Sequence, residues 1–505
     1  LVKKLISSGA KTPEDLASLK RRFCKEYKVP HPGNIELLKT YHKLLKNKRI
    51  KKSTRIENLL RVRPIRSLSG IVNVTVLTKP YACPGKCLYC PQEQGIPKSY
   101  VSGEPAVQRA KKLKYDPYLQ TKKRIEMLQA EGHLTDKVEI RIVGGTWSYY
   151  PKKYQEWFIK RCFQACNSNN YAYAHLLLSA QRKNEKAKHR VVGLSVETRP
   201  DFITKEEVKK LRKFGVTMVE LGVQSIYDDV LKLNQRGHGV KETIKATCLL
   251  KDAGFKVLYQ MMPNLRGSSL SRDLKMFKQL SADPDFQPDL LKIYPCILIK
   301  GAPLYRQKKK YRPYTSKELM SLMKKIKKSI PCYMRIQRIA RDVPGYKIPN
   351  LRQLLAEKAK KEKWQCKCIR CREVKDDYSP KEKLYLFRRD YRASEGREIF
   401  LSFETKNKKL YSLLRLRITS KNTAVIREIH TYGQLNPVKS DPGFTLSPQH
   451  KGLGKKLVRE AEKITRKEFD INSVAVIAAV GTRDYFRKMG YRLKKTYMTK
   501  NLETK

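Results

Sequence analysis

The sequence predicts an α/β chain: a partial βα barrel followed by a separate α+β domain, with a basic helical segment in front of both. Three observations carry that expectation. Between about residue 70 and residue 345, short β-branched runs alternate with amphipathic helical patterns, which implies a parallel sheet with right-handed crossovers. Beyond residue 380 that alternation stops, and meandering strands lead into a glycine loop, a long helix, a further strand and a short helix. At 505 residues the chain is too long for one ordinary core, and length alone gives roughly two to four domains. The expected division is 1–55 as the basic segment, 56–345 as the βα unit, 346–380 as a cysteine-bearing linker and 381–505 as the α+β domain.

In "KTPEDLASLKRRF", Thr12 suits an N-cap, Pro13 the first helical position, and Glu14 and Asp15 the positive end of a helix dipole. A second helix is expected over "NIELLKTYHKLLKNK", where Leu37, Leu38, Tyr41, Leu44 and Leu45 share one face and Lys39, Lys43 and Lys46 fall largely elsewhere. It runs into the dense basic block "KNKRIKKSTR". The strands of the βα unit are expected at "IVNVTVL", "VEIRIVGG", "VVGLSVET", "MVELGVQS", "KVLYQMM", "LLKIYPC" and "YMRIQRI". Among the helices between them, "TKEEVKKLRKFG" offers a capping box of Thr204 and Glu207 and a terminating Gly215. A barrel of this kind, partial or complete, displays its functional groups at the C-terminal ends of its strands. The final domain is read from "EIFLSFET", "LYSLLRLRIT" and "TAVIREIHTYG", then "SPQHKGLGKKLVREAEKI" and "VAVIAAV".

Lys plus Arg number 110 against 47 Asp plus Glu, a formal charge of +63 that calls for an acidic partner. Nucleic acid is the first candidate, because Lys and Arg contacts to phosphate release counterions; an anionic membrane surface or a salty cytoplasm is the alternative. No run of about 18 apolar residues and no leader-like start are present, so the expectation is a soluble, cytoplasmic protein with no membrane partner. The chain opens on Leu1 and not Met, which leaves room for sequence before it. Twelve cysteines are too sparse for a disulfide scaffold, and their clustering points to metal ligation.

The first cluster is "YACPGKCLYCPQ", with Cys83, Cys87 and Cys90 just after the first expected strand. Three thiolates can hold three irons of a 4Fe-4S cluster and leave the fourth iron open to a substrate or cofactor. The alternative is a zinc site or incidental buried cysteines. The second cluster, "WQCKCIRCREV", offers Cys366, Cys368 and Cys371 as three of four ligands to a structural Zn, with Cys332 the first choice for the fourth and Cys296 or a nearby His as alternatives. In "SPQHKGLGKK", Gln449, His450, Gly452, Leu453 and Gly454 precede an amphipathic helix that turns Leu457, Ala461 and Ile464 inward, and such a turn presents N–H groups to a pyrophosphate.

The string "CPGKCLYC" resembles the cysteine signature of radical S-adenosylmethionine (SAM) enzymes, and "VGGTWS", with Gly144 and Gly145, resembles the glycine motif beside the SAM amino group in that superfamily. The spacing Q-x-x-G-x-G and the later "VGTRDYFRKMGYRL" resemble the acetyl-CoA loop and an aromatic segment of the GCN5-related N-acetyltransferase fold. A fusion of the two, with "YDPYLQTKKRIEML", "DKVEIRIVGGT", "VETRPD", "ELGVQS", "GLGKKLVREAE" and "GTRDYFRKMGYR" in that order, resembles over essentially the whole chain the archaeal members of the Elongator catalytic-subunit family, which are transfer RNA acetyltransferases.

That resemblance implies formation of 5-carboxymethyluridine at the wobble position from acetyl-CoA by way of a SAM-derived 5'-deoxyadenosyl radical, with a 4Fe-4S cluster, SAM, acetyl-CoA and Zn as cofactors or co-substrate and transfer RNA as partner. It leaves a homodimer open and points to no further Elongator subunit. It implies that Lys137 contacts acetyl-CoA from the radical SAM side, and that Glu428, Ile429, His430, Thr431, Leu453, Gly454, Lys455 and Phe486 line the CoA site. Eukaryotic members carry paired tyrosines where this chain has Tyr485 and Phe486, which keeps Tyr485 as the catalytic candidate and gives Phe486 a packing role. Two rival readings are a protein lysine acetyltransferase whose cluster stabilises the fold, and a catalytically silent RNA-binding scaffold.

Overall fold

The computed structural model describes residues 1–167, 176–341, 343, 350–434, 448–449 and 451–502; His450 lies outside them. All seven runs of the βα unit form strands, β1 (Val72–Leu77), β2 (Lys137–Val143), β3 (Arg190–Thr198), β4 (Met218–Gln224), β5 (Lys256–Met261), β6 (Leu290–Ile293) and β7 (Arg335–Ile339). They form one parallel sheet in sequence order. The barrel is therefore partial. Its strands read as near-continuous apolar runs because both faces are covered, and β4 is buried at every position.

The second sheet holds β8 (Tyr385–Ala393), β9 (Gly396–Glu404), β10 (Leu410–Ile418), β11 (Ala424–Thr431), β12 (Ser473–Val476), β13 (Arg492–Lys494) and β14 (Tyr497–Asn501), in the order β13-β14-β12-β11-β10-β9-β8. The helix Leu453–Phe469 lies on one face, where Leu457, Val458, Ala461 and Ile464 are buried against Leu414, Ile426 and Val476. The other face packs beneath the barrel, and Leu413 and Phe400 join the barrel's own core. Three details differ from expectation. β8 and the terminal hairpin β13–β14 are additional strands, and "VAVIAAV" pairs only as far as Val476 before leaving the ladder. Thr204 caps its helix through the Glu207 N–H, but the Glu207 carboxylate pairs with Lys210 at 2.6 Å, so only half of the capping box forms.

A bulge in β11 decides how the two sheets meet. Arg415 faces Glu428 and Leu416 faces Ile426, which leaves Arg427 as the extra residue. Arg427 and Glu428 both carry their charges to the barrel side, an orientation that regular alternation forbids. Arg427 donates to Asp289 at 2.6 and 2.9 Å and to Glu398 at 2.9 Å, while Glu428 accepts from Arg415 at 2.8 Å and from Lys256 at 3.2 Å. Lys256 opens β5 and Asp289 immediately precedes β6, so the second domain docks at the N-terminal ends of the barrel strands.

Four helices precede the barrel: α1 (Val2–Ser7), α2 (Pro13–Tyr27), α3 (Asn34–Lys46) and α4 (Thr54–Leu60). Thr12 and Asp15 form a complete capping box on α2. Leu37, Leu38 and Tyr41 are buried with Leu5, Leu16, Ile56 and Leu60, so this small core extends past residue 55. Lys39, Lys43, Lys46, Lys48, Lys51 and Lys52 are exposed, whereas Arg55 turns inward to the Ala10 and Ile6 carbonyls. Among the described residues no helix is long and apolar enough to cross a membrane.

Candidate active site

Cys83, Cys87 and Cys90 lie on the loop after β1, at the C-terminal end of the barrel. Gly85 holds the loop tight: a Cβ there would lie 3.5 Å from the Cys87 sulfur, 3.7 Å from the Cys83 sulfur and 2.5 Å from an Arg199 nitrogen. Arg236 donates to the Cys87 sulfur at 3.5 Å. Burial opposes ionisation of Cys87, but Arg236, a hydrogen bond with Tyr89 and Arg199 outweigh it and hold this thiol below its ordinary value. Cys90 has no such direct donor, and burial beside Cys87 pushes it up to about 12. One Nη of Arg199 and the Nε of Arg236 are buried around the loop without hydrogen-bond partners. Two guanidinium donors left unspent beside the loop fit an anionic iron–sulfur cluster and a ligand carboxylate.

The geometry also separates this trio from a single-ion site. Thiolates around one tetrahedral metal stand about 4 Å apart, as bond lengths of about 2.3 Å require. Among the described residues, the set of three or more metal-ligating side chains with all ligand atoms within 4.8 Å of one another is Cys366, Cys368 and Cys371. Lys327 donates to the Cys371 sulfur at 3.5 Å. Cys332, expected as the fourth ligand, is not in that set; what reaches this knot from it is its carbonyl, which accepts from Arg372 at 2.8 Å. Cys296 is buried elsewhere, with Leu88 and Tyr311 under the loops above the barrel.

Gly144 and Gly145 follow β2 with φ of 131° and 109°. A Cβ on Gly144 would lie 2.0 Å from the Thr78 hydroxyl, so only glycine fits. The turn brings Thr146 to 3.8 Å from the Cys83 sulfur, which sets the glycine motif directly beside the cysteine loop.

A cavity of about 1800 Å3 runs from this loop through the barrel. Cys90, Tyr89 and Tyr100 line one end, Glu197, Gln260 and Lys292 the middle, and Glu428 and His430 of the second domain the other end. Lys292 sits 3.1 Å from Glu197 and in contact with Glu220, and this pair of carboxylates outweighs burial and holds it charged. Sequence reading missed Arg199, Arg236 and Lys292; the charged residues of "VETRP", "NQRGHG" and "LLKIY" next to apolar strands were the available signal.

In the second domain β11 and β12 pair in parallel only through Ala424–Ile426 and Val474–Val476, so beyond Ile426 the two strands part. The residues expected there divide by face. Glu428 and His430 turn to the barrel cavity, and Ile429 turns to the helix side. Leu453, Gly454 and Lys455 form the first turn of the long helix, whose N–H groups have no intrahelical acceptor. A Cβ on Gly454 would lie 2.7 Å from the Tyr485 hydroxyl and 3.3 Å from Ile429, so these three expected residues converge. Thr431 accepts from Gln449 at 3.1 Å through its carbonyl. Phe486 is 1% exposed and packs edge-on between Tyr485 and Tyr491, which gives it a core position and not a lining one.

Lys137, at the start of β2, donates to Gln449 at 2.8 Å, and Gln449 also donates to the Gly70 carbonyl at 3.3 Å. Gly70 holds a φ of 82°, which favours glycine, and a Cβ there would lie 1.7 Å from the Gln449 amide and displace it. Burial, reinforced by Arg190, lowers Lys137 to about 8 despite Asp136. The expected lysine of one domain thus touches the glycine-loop segment of the other.

The Radical SAM superfamily profile matches residues 77–280, and that of the Radical SAM C-terminal domain matches 288–370. The chain is 43% identical over 503 residues to a tRNA uridine(34) acetyltransferase of Methanocaldococcus infernus, covering 94% of this chain and 92% of the relative. It is 38% identical over 478 residues to Elongator complex protein 3 of Homo sapiens, covering 88% and 86%. A solved structure of archaeal Elp3 from Methanocaldococcus infernus, with N-terminal residues 1–46 deleted, superposes with a TM-score of 0.74 at 40% identity, covering 86% of this chain and 99% of that one.

Proposed function

The chain belongs to the radical SAM family of tRNA uridine(34) acetyltransferases and Elongator complex protein 3, and from that premise we propose that it forms 5-carboxymethyluridine at the wobble position of transfer RNA from acetyl-CoA. The observation that carries the reading is the continuous cavity with Cys90 at one end and Glu428 and His430 at the other. Carbon 5 of uracil is a poor nucleophile for ordinary acyl transfer, so a radical site and an acetyl site must share a chamber, where proximity replaces diffusion. Cys83, Cys87 and Cys90 would hold a 4Fe-4S cluster, which together with SAM would supply radical chemistry at this end of the cavity. Arg236 and Arg199 hold the negative charge of that site. The parted edges of β11 and β12 offer backbone groups to a pantetheine arm, and the first turn at Leu453, Gly454 and Lys455 offers N–H groups to the pyrophosphate. A protein lysine acetyltransferase has no use for an acetyl end that faces a barrel lumen. Mass spectrometry of wobble nucleosides after incubation with transfer RNA, acetyl-CoA, SAM and a reductant tests the function. Unmodified uridine alongside active SAM cleavage would overturn it.

Lys137→Ala is expected to lower acetyl-CoA hydrolysis and labelled-carbon transfer to uridine together, on the order of tenfold, the scale of one charge-assisted hydrogen bond. Iron content and transfer RNA affinity should hold. Wild-type rates of both reactions would make Lys137 an ordinary interface lysine.

We assign Cys366, Cys368 and Cys371 to a structural Zn. The triple Ser variant should contain about one Zn fewer per chain while keeping its iron. An unchanged zinc content would refute the assignment.

The exposed lysines of α3 and the following block supply RNA affinity through phosphate. Deleting residues 1–60, which removes the small core entire, should weaken transfer RNA binding and flatten its salt dependence by about 0.9 in logarithmic slope for each phosphate that is no longer neutralised. If affinity and slope both stay, that charge is a solvated face.

A further inference from the structure

We propose that Tyr81 and Tyr149, at the lip of the barrel, form a stacking platform for unpaired nucleotides that flank the reacting base of the RNA. The proposal rests on the functional reading above and adds the surface that holds the neighbouring bases. Tyr81 follows β1 and precedes Cys83, Tyr149 follows β2, and Phe202 follows β3, so all three stand at the end of the barrel where the cysteine loop lies. Tyr81 stacks on Tyr150 at 4.9 Å and 27°, and Tyr150 stacks on Tyr154 at 5.1 Å and 23°. Tyr149 lies 6.0 Å from Tyr81 and edge-on to Phe202 at 5.9 Å. The lower ring is fixed: the Tyr150 hydroxyl donates to the Lys79 carbonyl at 2.8 Å and lies 2.8 Å from the Thr78 hydroxyl.

The upper rings are left open, with Tyr81 39% and Tyr149 40% exposed. A stack anchored below and open above is a place where another flat ring adds at little cost in side-chain entropy. Its fringe is cationic. Lys79 reaches over the Tyr154 ring at 5.0 Å, and Lys79, with Lys152 and Lys153 between Tyr150 and Tyr154 in the chain, is exposed. Ring faces among lysines suit single-stranded RNA, whose bases stack while its phosphates meet the cations. A paired duplex offers free base faces only at its two ends, and an apolar protein partner has no use for the lysines.

The test compares a transfer RNA anticodon stem-loop with a blunt RNA duplex of equal charge, each titrated over a salt series against the full-length wild type, Tyr81→Ala/Tyr149→Ala and Tyr81→Phe/Tyr149→Phe. The Ala pair should weaken stem-loop binding by roughly tenfold per ring, as loss of base stacking does. It should leave the salt slope, the duplex affinity and the iron content unchanged, because every lysine that meets phosphate and every cluster ligand is still in place. The Phe pair should bind as wild type, since stacking needs the ring face and not the hydroxyl. The platform is overturned if the Ala pair binds the stem-loop as wild type, if it loses stem-loop and duplex alike, or if the Phe pair fails with it. A wild type that binds neither RNA would overturn the functional reading itself, which separates that failure from this one.

Discussion

Replacing Cys83, Cys87 and Cys90 together by Ala is expected to abolish both iron incorporation and the formation of 5'-deoxyadenosine from SAM. The effect should be complete and not graded. In the proposed cluster each of the three thiolates would hold one iron, so replacing all three removes the whole ligand set. The surrounding donors cannot compensate, because Arg199 and Arg236 carry positive charge and would repel iron once the thiolates are gone. Anaerobic reconstitution with iron and sulfide, followed by iron counting and a 5'-deoxyadenosine assay, makes the measurement. Each single replacement should show the same loss in the assay. Undiminished deoxyadenosine from the triple variant would sink the radical assignment.

The barrel was legible because its strands are buried on both faces and read as unbroken β-branched runs; "MVELGVQ" is buried throughout. β8 was not, because "YLFRRDYRA" lies at the edge of its sheet with most positions exposed or half-buried, and its composition mimics a polar loop. Its hairpin turn hid as well: Ser394 and Glu395 adopt φ of 49° and 63°, a left-handed pair that sequence usually announces with Asn-Gly. The cysteine trio stands out by its spacing and by its resemblance to the radical SAM signature, whereas Arg236 reaches Cys87 across 149 residues, and no local pattern records a contact of that span. Cys332 is a different case: its carbonyl accepts from Arg372 beside the knot while it lies outside the set of sulfurs that come together, a placement that the spacing of the knot does not record. The charge reading needed the same correction at Arg55, which caps α1 and the Ala10 turn while its neighbours face water.

Arg427→Ala is expected to destabilise the chain by about 3–5 kcal/mol, the scale for breaking a buried ion pair from one side. Arg427 is buried between Asp289 of the barrel and Glu398 of β9, and it also donates to the Phe255 carbonyl at 2.6 Å. Its removal leaves two buried carboxylates short of charge and one buried carbonyl unbonded at the junction between the barrel and the second domain. Arg427→Lys should fall between, because an ammonium restores charge but not the two-armed contact. The same network predicts how the junction answers acid. Burial opposes ionisation of Asp289, Glu398 and Glu428, but Arg427, Lys251, Arg415 and Lys256 outweigh it, so all three stand below their ordinary values, with Glu428 at about 2. Carboxyls whose folded values are depressed contribute stability that is present above the unfolded value, about 4, and lost as pH falls through the folded one. Urea unfolding at pH 7 should therefore show the full gap between wild type and Arg427→Ala, and the gap should narrow as pH falls below about 4 and Asp289 and Glu398, the two carboxyls that Arg427 holds down, take up protons. A difference below about 1 kcal/mol at pH 7, the worth of an exposed pair, would mean that the bulge in β11 does not lock the second domain to the barrel.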